Sequence, residues 1–461
     1  MKRSAYPLFA AASLLLAVCP ALAATRPHYG GTLRVELSAS PPSLDPAQRA
    51  AFANSTQDQL AALMFDRLVE VDGRGKPRAA LAASWQHDPD YRRWIFHLRS
   101  GVLLHNGTPL RPHLVVMSLA ASNPNWRVRL QGEDAVIEST SPLPNVLAEL
   151  ACIRNSIVVH TEGGAVVGTG PFRVTTWEAG QRLVLVANDD YWDGRPFLDS
   201  LQIMFGRAQR DQALDLQLGR ADVIEVSPDQ IRRAQQEGQR VAVSAPVELI
   251  ALAFSDKKSV KESAIREGIS TSVDRAAIQN TLLQKHGEAA AGLLPQWVSG
   301  YSFLFPLTAN LDHARQLRRD LGTTPSLTLA YDWNDPLARA IAERVSVNAR
   351  DAAINIQPYG ENLAARGANA DLRVVRIPLA STDAAAALAE LAAASGHQGA
   401  LQMNSPEELY AADRALGAEF RLVPIAYVPK AWGLSARVSN WSIVREGGWR
   451  LADVWLEGEH Q

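Results

Sequence analysis

The sequence predicts an α/β chain built as two lobes, and three observations carry the prediction. Its 461 residues, 47% of them apolar, exceed what one hydrophobic core ordinarily organises, so two or more domains are expected. The portion before about Val247 mixes short alternating strands with helical stretches. The portion after it holds a strand, a helix and a second strand at the lengths of a βαβ unit, which requires a parallel pair.

Each element follows from its own pattern. Gly30-Gly31 open residues 32–37, where apolar and polar side chains alternate with period two, and Pro41-Pro42 then end the strand in a loop. Residues 57–68 carry apolar side chains at helical spacing, and Asp72-Gly73-Arg74-Gly75 supplies turn glycines. Residues 94–98 alternate as a strand, residues 101–107 have hairpin character, and short strand-like patches fill 128–167. Residues 172–177 and 181–187 alternate on either side of Gly180, which reads as a hairpin with that glycine in its turn. Residues 211–218 are helical, stop at Gly219 and feed the apolar run 223–226. In the second lobe, residues 273–285 predict an amphipathic helix with Ala277, Ile278 and Leu282 on one face, and residues 311–321 another, closed by Gly322. A strand over 326–331 leads to Asn334-Asp335-Pro336, an N-cap with proline in the first turn, then a helix to about Arg350 and a strand over 353–359. Asp383 opens an alanine- and leucine-rich helix that runs to Ala394.

Lys2 and Arg3, an apolar stretch over 8–18 and Ala21-Leu22-Ala23 describe a signal peptide over 1–23, so export and a mature start at Ala24 are expected. A lipoprotein reading would acylate Cys19, but Val18 is bulky where a small residue is needed and Pro20 follows; cleavage without lipidation is favoured. With 46 basic against 48 acidic side chains, no excess of charge draws the chain to nucleic acid or to an anionic membrane. Once the leader is removed Cys152 is the single thiol, which excludes an internal disulfide, and its apolar surroundings predict an inert packing residue.

Motifs of catalysis are missing. The chain has no G-x-S-x-G, H-E-x-x-H, C-x-x-C or phosphate-loop pattern. Gly168-Thr169-Gly170 begins a dinucleotide-like G-x-G, but Arg173 stands where the third glycine is needed and a strand follows, so turn glycines account for it. His97, His105 and His113 fall on a strand, a hairpin turn and a helix start, which point different ways; no metal and no cofactor are expected.

Nine stretches stand out in order along the chain: Gly30-Gly31-Thr32-Leu33-Arg34-Val35 with Pro42-Ser43-Leu44-Asp45-Pro46; Leu81-Ala82-Ala83-Ser84-Trp85; Trp94 to Val102 with His105-Asn106-Gly107-Thr108-Pro109-Leu110; Gly168-Thr169-Gly170-Pro171-Phe172; Asn188-Asp189-Asp190-Tyr191-Trp192; Gly219-Arg220-Ala221-Asp222-Val223; Ser272-Val273-Asp274-Arg275; Ala291-Gly292-Leu293-Leu294-Pro295; and Val423-Pro424-Ile425-Ala426-Tyr427. Together they resemble the extracytoplasmic solute-binding proteins of family 5, which serve peptide and nickel ABC importers. Their order spans nearly the whole mature chain. The resemblance implies a two-lobed periplasmic binding protein fold with a ligand cleft between the lobes, a small extra subdomain in the first lobe, and a hinge of two crossing segments near Val247 and Tyr427. It gives lobe 1 as 24–246 with the subdomain at about 51–165, lobe 2 as 247–427, and a C-terminal return to lobe 1 over 428–461. It also implies a non-enzymatic, monomeric, periplasmic subunit that captures a small solute by lobe closure and delivers it to an inner-membrane permease.

One departure bears on the ligand. The family's Trp-x-x-Asp-Tyr-x-x-Pro stretch, whose aspartate can hold a peptide's α-amino group, here reads Val374-Val375-Arg376-Ile377-Pro378-Leu379-Ala380-Ser381-Thr382-Asp383, with Asp383 as its one acid. A neutral ligand, or one with a carboxylate and no free α-amine, is expected; a ligand-free scaffold is the alternative. Trp297 and Trp333 adjoin loops and offer rings for stacking. Arg373 and Arg376 lie on one strand and would grip a carboxylate if their face lines the cleft. Ser40, Phe254 and Asp383 complete the candidate ligand-binding set.

Overall fold

An eleven-stranded mixed sheet runs through the molecule from one end to the other in the computed structural model, which describes residues 26–48, 55–72, 74–124, 126–322, 326–361, 369–399 and 401–458. The expected leader over 1–23, with Cys19 and the cut before Ala24, lies outside the described residues.

The strands of the sheet are β1 (Thr32–Glu36), β2 (Phe172–Glu178), β3 (Arg182–Ala187), β4 (Ser200–Met204), β5 (Val223–Val226), β6 (Arg240–Phe254), β7 (Glu288–Ala289), β8 (Leu327–Asp332), β9 (Ile356–Glu361), β10 (Leu372–Pro378) and β11 (Leu422–Leu434). Their order is β2-β3-β4-β1-β5-β11-β6-β10-β8-β9, with β7 on β11. Period-two alternation places Leu33 and Val35 of β1 in one core with Leu183, Leu185, Leu201 and Ile203. β1 runs parallel to β4 and β5, and β2 and β3 form the expected hairpin with Gly180 at φ +78 in its turn. Asp222, fully buried, accepts from the Arg34 backbone N–H at 3.0 Å and from both arms of the Arg34 guanidinium at 2.9 and 2.8 Å, which fixes β1 beside β5.

Lobe 2 repeats the scheme. β8 and β9 are parallel, joined by α4 (Pro336–Asp351), whose buried face Leu337, Ile341, Ala342 and Val345 packs on Leu327, Leu329, Leu372 and Val374. Asp335 caps that helix through Ala338 N–H at 3.0 Å. The opposite face of the same sheet, with Leu249, Ala251, Val375 and Ile377, is covered by α5 (Ala384–Ala394) and α6 (Pro406–Ala418). A separate core formed by residues between Leu68 and Ile157 belongs to a four-stranded antiparallel sheet and the helix α2 (Pro112–Ser122) of lobe 1.

Four expectations are corrected. The helix over 57–68 is α1 (Ser55–Met64), because the Met64 carbonyl accepts from Gly170 N–H at 3.0 Å and the chain leaves the helix there. Gly168 and Gly170 are therefore contact glycines, not turn glycines: a Cβ on Gly168 would overlap the Met64 carbonyl oxygen, and one on Gly170 would sit 2.6 Å from its carbon. The amphipathic helix over 273–285 is a single turn, Arg275–Ala277, capped by Asp274, followed by the π turn Ile278–Leu282; Leu283 N–H reaches back to Ile278 and Lys285 N–H to Gln279. The strand expected from 353 starts at Ile356, since Ala353 takes φ +61 to close α4. Among the helices named by number, α3 (Gln209–Gln217) ends before Gly219 at φ +67, as the sequence predicts.

β6 and β11 pair antiparallel and pass from one lobe to the other. The end of β11 pairs with β5 of lobe 1 on one edge and with the start of β6 on the other, while Glu248 onward pairs with β10 in lobe 2. The ladder shifts register twice around Pro246, which faces Pro429. Neither proline has an N–H to give, so the ladder lacks those backbone bonds where the lobes join.

Candidate functional site

Parallel strands bring their carboxyl ends together, and open sheets place ligands in the crevice outside those ends. β1, β4 and β5 end at Glu36, Met204 and Val226, and β8, β9 and β10 end at Asp332, Glu361 and Pro378. Both sets lead to the crossing: Val226 pairs with Ala431, and Pro378 with Glu248. The space between the lobes is therefore bordered by two sets of strand ends facing one another.

A cluster of charges fills this border. Arg376 donates to Asp335 at 2.6 and 3.1 Å and to Glu248 at 2.8 Å. Burial works against its charge, yet the two carboxylates hold its pKa above the ordinary value. Glu225 accepts from the backbone N–H and the hydroxyl of Ser38; burial pushes its carboxyl up, those hydrogen bonds pull it down, and Glu248 pushes it up again. Asp332 is likewise raised by burial and by the nearby Asp335 charge. Lys430, half-buried on β11, makes no side-chain hydrogen bond or ion pair within the described residues. Burial lowers its pKa, while Glu248, Asp58 and Glu225 act in the opposite sense.

The structure sorts the predicted site residues. Ser40 stands in the loop after β1, where its Oγ accepts from Gly180 N–H at 3.2 Å. Trp333 follows the end of β8 and is 62% exposed, an aromatic face beside Asp332. Trp297 donates to the Pro246 carbonyl at 3.1 Å with the Arg445 guanidinium 5.7 Å from its ring, so it packs on the crossing itself. Asp383 caps α5 through Ala386 N–H at 2.9 Å and is spent on that role.

The others need correction. Phe254 ends β6 at the far edge of lobe 2, eight residues beyond Pro246, on the order of 25 Å along a strand. Arg373 and Arg376 do not share a face, because positions three apart on a strand point to opposite sides. Arg376 lies on the side of Val374 and is already paired, whereas Arg373 lies on the side of Val375 and pairs with Glu361 at 3.4 Å. Lys430 and Glu225 were not singled out by the sequence, where each is one charge inside an apolar strand.

The lobes also meet away from the crossing. Arg154 of lobe 1 is held by Glu149 through both Nε, at 2.9 Å, and a terminal nitrogen, and its other terminal nitrogen donates to Glu390 of α5 at 2.6 Å. Cys152 beside it is buried, donates to Ala148 O at 3.4 Å, and has its thiol pushed up to about 12 by burial. Among the described residues, no group of three or more His, Cys, Asp or Glu side chains is placed to hold a metal, and no helix is long and apolar enough to cross a membrane. His97 pairs with Asp134 at 2.9 Å and His105 with the Gly170 carbonyl at 3.0 Å, in separate places.

Comparison with known proteins agrees with this architecture. Residues 76–396 match the model of bacterial extracellular solute-binding proteins, family 5 Middle. The probable D,D-dipeptide-binding periplasmic protein DdpA of Escherichia coli K12 is 25% identical over 341 residues, 66% of this chain and 65% of DdpA, so the match spans just under two thirds of that relative. The structure of NikA from Staphylococcus aureus in complex with Ni(L-His)2 aligns with TM-score 0.78 at 17% identity over 92% of this chain and 100% of NikA. That of DppA from Helicobacter pylori in complex with the peptide STSA aligns with TM-score 0.78 at 18% identity over 94% and 99%. The fold, the facing strand ends and a family match over more than half its length agree, and the chain belongs to the bacterial extracellular solute-binding proteins of family 5.

Proposed function

We propose that the protein is the periplasmic solute-binding subunit of an ABC importer, non-enzymatic and monomeric, which closes its lobes over a small organic solute and passes it to an inner-membrane permease. Residues 1–23 are a cleaved leader, 24–246 form lobe 1 with a subdomain at about 51–165, 247–427 form lobe 2, and 428–461 return to lobe 1. The observation that carries the reading is the interlobe cluster: an ammonium, Lys430, with no side-chain hydrogen bond or ion pair among the described residues, near Glu248, Asp58 and Glu225 where strand ends of both lobes meet. A solute carboxylate meets Lys430, Trp333 offers a ring to stack on its body, and the loop through Ser38 and Ser40 supplies polar contacts. Arg376 shapes this space by holding Asp335 and Glu248 together, rather than gripping the solute. Lobe closure then follows from differential affinity, since a ligand that touches both lobes favours the state in which both are within reach.

The relatives named above are described with a dipeptide, a peptide and a nickel–histidine complex, all small carboxylate-bearing ligands. Calorimetry of the mature chain against a panel of dipeptides, N-acylated amino acids and simple organic acids tests the assignment. Binding of one class that falls at least tenfold in Lys430→Gln, with a drop in radius of gyration at saturation, is the expected result. Binding that Lys430→Gln leaves unchanged would remove Lys430 from the site, and no change in shape at proven saturation would remove closure.

A further inference from the structure

Lobe 2 carries a recess on the side of β11 away from β6. It is bounded by β7, by the segment Gly292–Pro295 and by the loop 302–307, opens to solvent on one side, and has a volume of about 650 Å³, within the range of small-ligand pockets. Its walls are largely apolar, with Leu294, Leu304 and Phe305 among them. The polar groups that reach it are mostly engaged: the Tyr427 hydroxyl donates to the Leu293 carbonyl, and the Gln279 amide to the Gly287 carbonyl at 2.9 Å.

Glu288 is different. It lines the same recess, half-buried, and its carboxylate makes no hydrogen bond or ion pair within the described residues. Burial raises its pKa, and among the described residues no cation opposes that shift. Its position is fixed, because β7 pairs Glu288 with Tyr427 and Gly287 packs so tightly on the Tyr427 carbonyl that no other residue fits there. At the rim, Phe303 is 88% exposed and holds φ 117, a conformation that a phenylalanine keeps only under constraint. The constraint is visible in the next two residues, since the Ala291 carbonyl accepts from both Leu304 N–H at 2.8 Å and Phe305 N–H at 2.9 Å. An anchored loop thus presents an aromatic face at the mouth of an apolar recess whose one charged group is an unpaired carboxylate.

We propose that this recess is a second binding site, for an organic monocation with an apolar body, such as an arylalkyl ammonium. The ammonium pairs with Glu288, the hydrocarbon fills the space against Leu294 and Leu304, and Phe303 covers the mouth with its ring toward the charge. The lining of the recess includes none of Ser38, Glu225, Glu248, Trp333 or Lys430 of the interlobe cluster, and its test does not depend on the transport reading.

The probe is phenethylammonium, with 3-phenylpropionate as the anion of similar shape, each titrated calorimetrically into the full mature chain. The expected result is binding of the cation and none of the anion at the same concentrations. Glu288→Gln, which keeps the side-chain shape, should weaken the cation at least tenfold, and Phe303→Ala severalfold. A diazirine-bearing phenethylammonium should label peptides within 279–307. Equal binding of the anion, no binding of either probe, an unchanged affinity in Glu288→Gln, or labelling centred on Ser38, Glu225 or Lys430 would each overturn the proposal.

Discussion

Asp413 is wholly buried in α6, accepts from Tyr301 Oη at 2.9 Å and from Leu293 N–H at 3.3 Å, and has its carboxyl raised to about 6 by burial. Between an unfolded value of about 4 and this folded one, the native state binds the extra proton, so stability falls as pH rises through that window. The effect is at most roughly 3 kcal/mol. Asp413→Asn should flatten the decline in melting temperature between about pH 4 and 6 and leave the protein no less stable at pH 7. Lys430 makes the opposite argument for binding: its pKa is lowered in the unliganded protein, and a ligand anion would draw it up again. Binding of an anionic solute should therefore take up protons, seen as a dependence of the calorimetric enthalpy on buffer, and affinity should fall as pH rises through the lowered pKa. Neither residue announces itself in the sequence. Arg373 and Arg376 do, yet their spacing of three on a period-two element already separates their faces, and what lies on each face is a tertiary fact.

At the scale of elements, the strands and caps were the most legible part. Alternation gave β1, the β2–β3 hairpin and β8, and Asp335, Asp383 and Gly219 mark helix ends where the sequence places them. What was lost depends on neighbours far along the chain. The helix over 57–68 stops at Met64 because a segment a hundred residues later takes its carbonyl, and the Gly168-Thr169-Gly170 motif is glycine-rich for that approach. Asp66 completes the junction, accepting from Thr169 Oγ1 at 2.8 Å, Trp192 Nε1 at 2.9 Å and Tyr191 Oη at 3.1 Å, so two family motifs converge on one carboxylate. Gly168→Ala must displace backbone and not a pliable side-chain end, and a loss of roughly 2–4 kcal/mol is expected, read from the urea midpoint. A loss under about 0.5 kcal/mol would mean that α1 and the motif slide apart freely.

For the whole molecule, two lobes and their order could be read from length and motif sequence, while the contacts that set their spacing could not. Arg154 and Glu390 are 236 residues apart and lie in lobes that no periodicity relates. Because Glu149 fixes the guanidinium in lobe 1, the bond to Glu390 is available only when the lobes are near. Glu390→Gln is expected to raise the radius of gyration of the unliganded protein in small-angle scattering, and to make it less sensitive to salt than the wild type; identical profiles would show that this contact does not hold the lobes together. The paired prolines at the crossing have a further meaning for hydrogen exchange. Pro246 and Pro429 face each other with no amide to protect, so the continuous sheet is divided for deuterium into two blocks, residues on the β5 side and residues on the β10 side. Each block should open as its own cooperative unit, with its own exchange rate under conditions where opening limits labelling, and the slowest amides of β11 should fall into two groups on either side of residue 429.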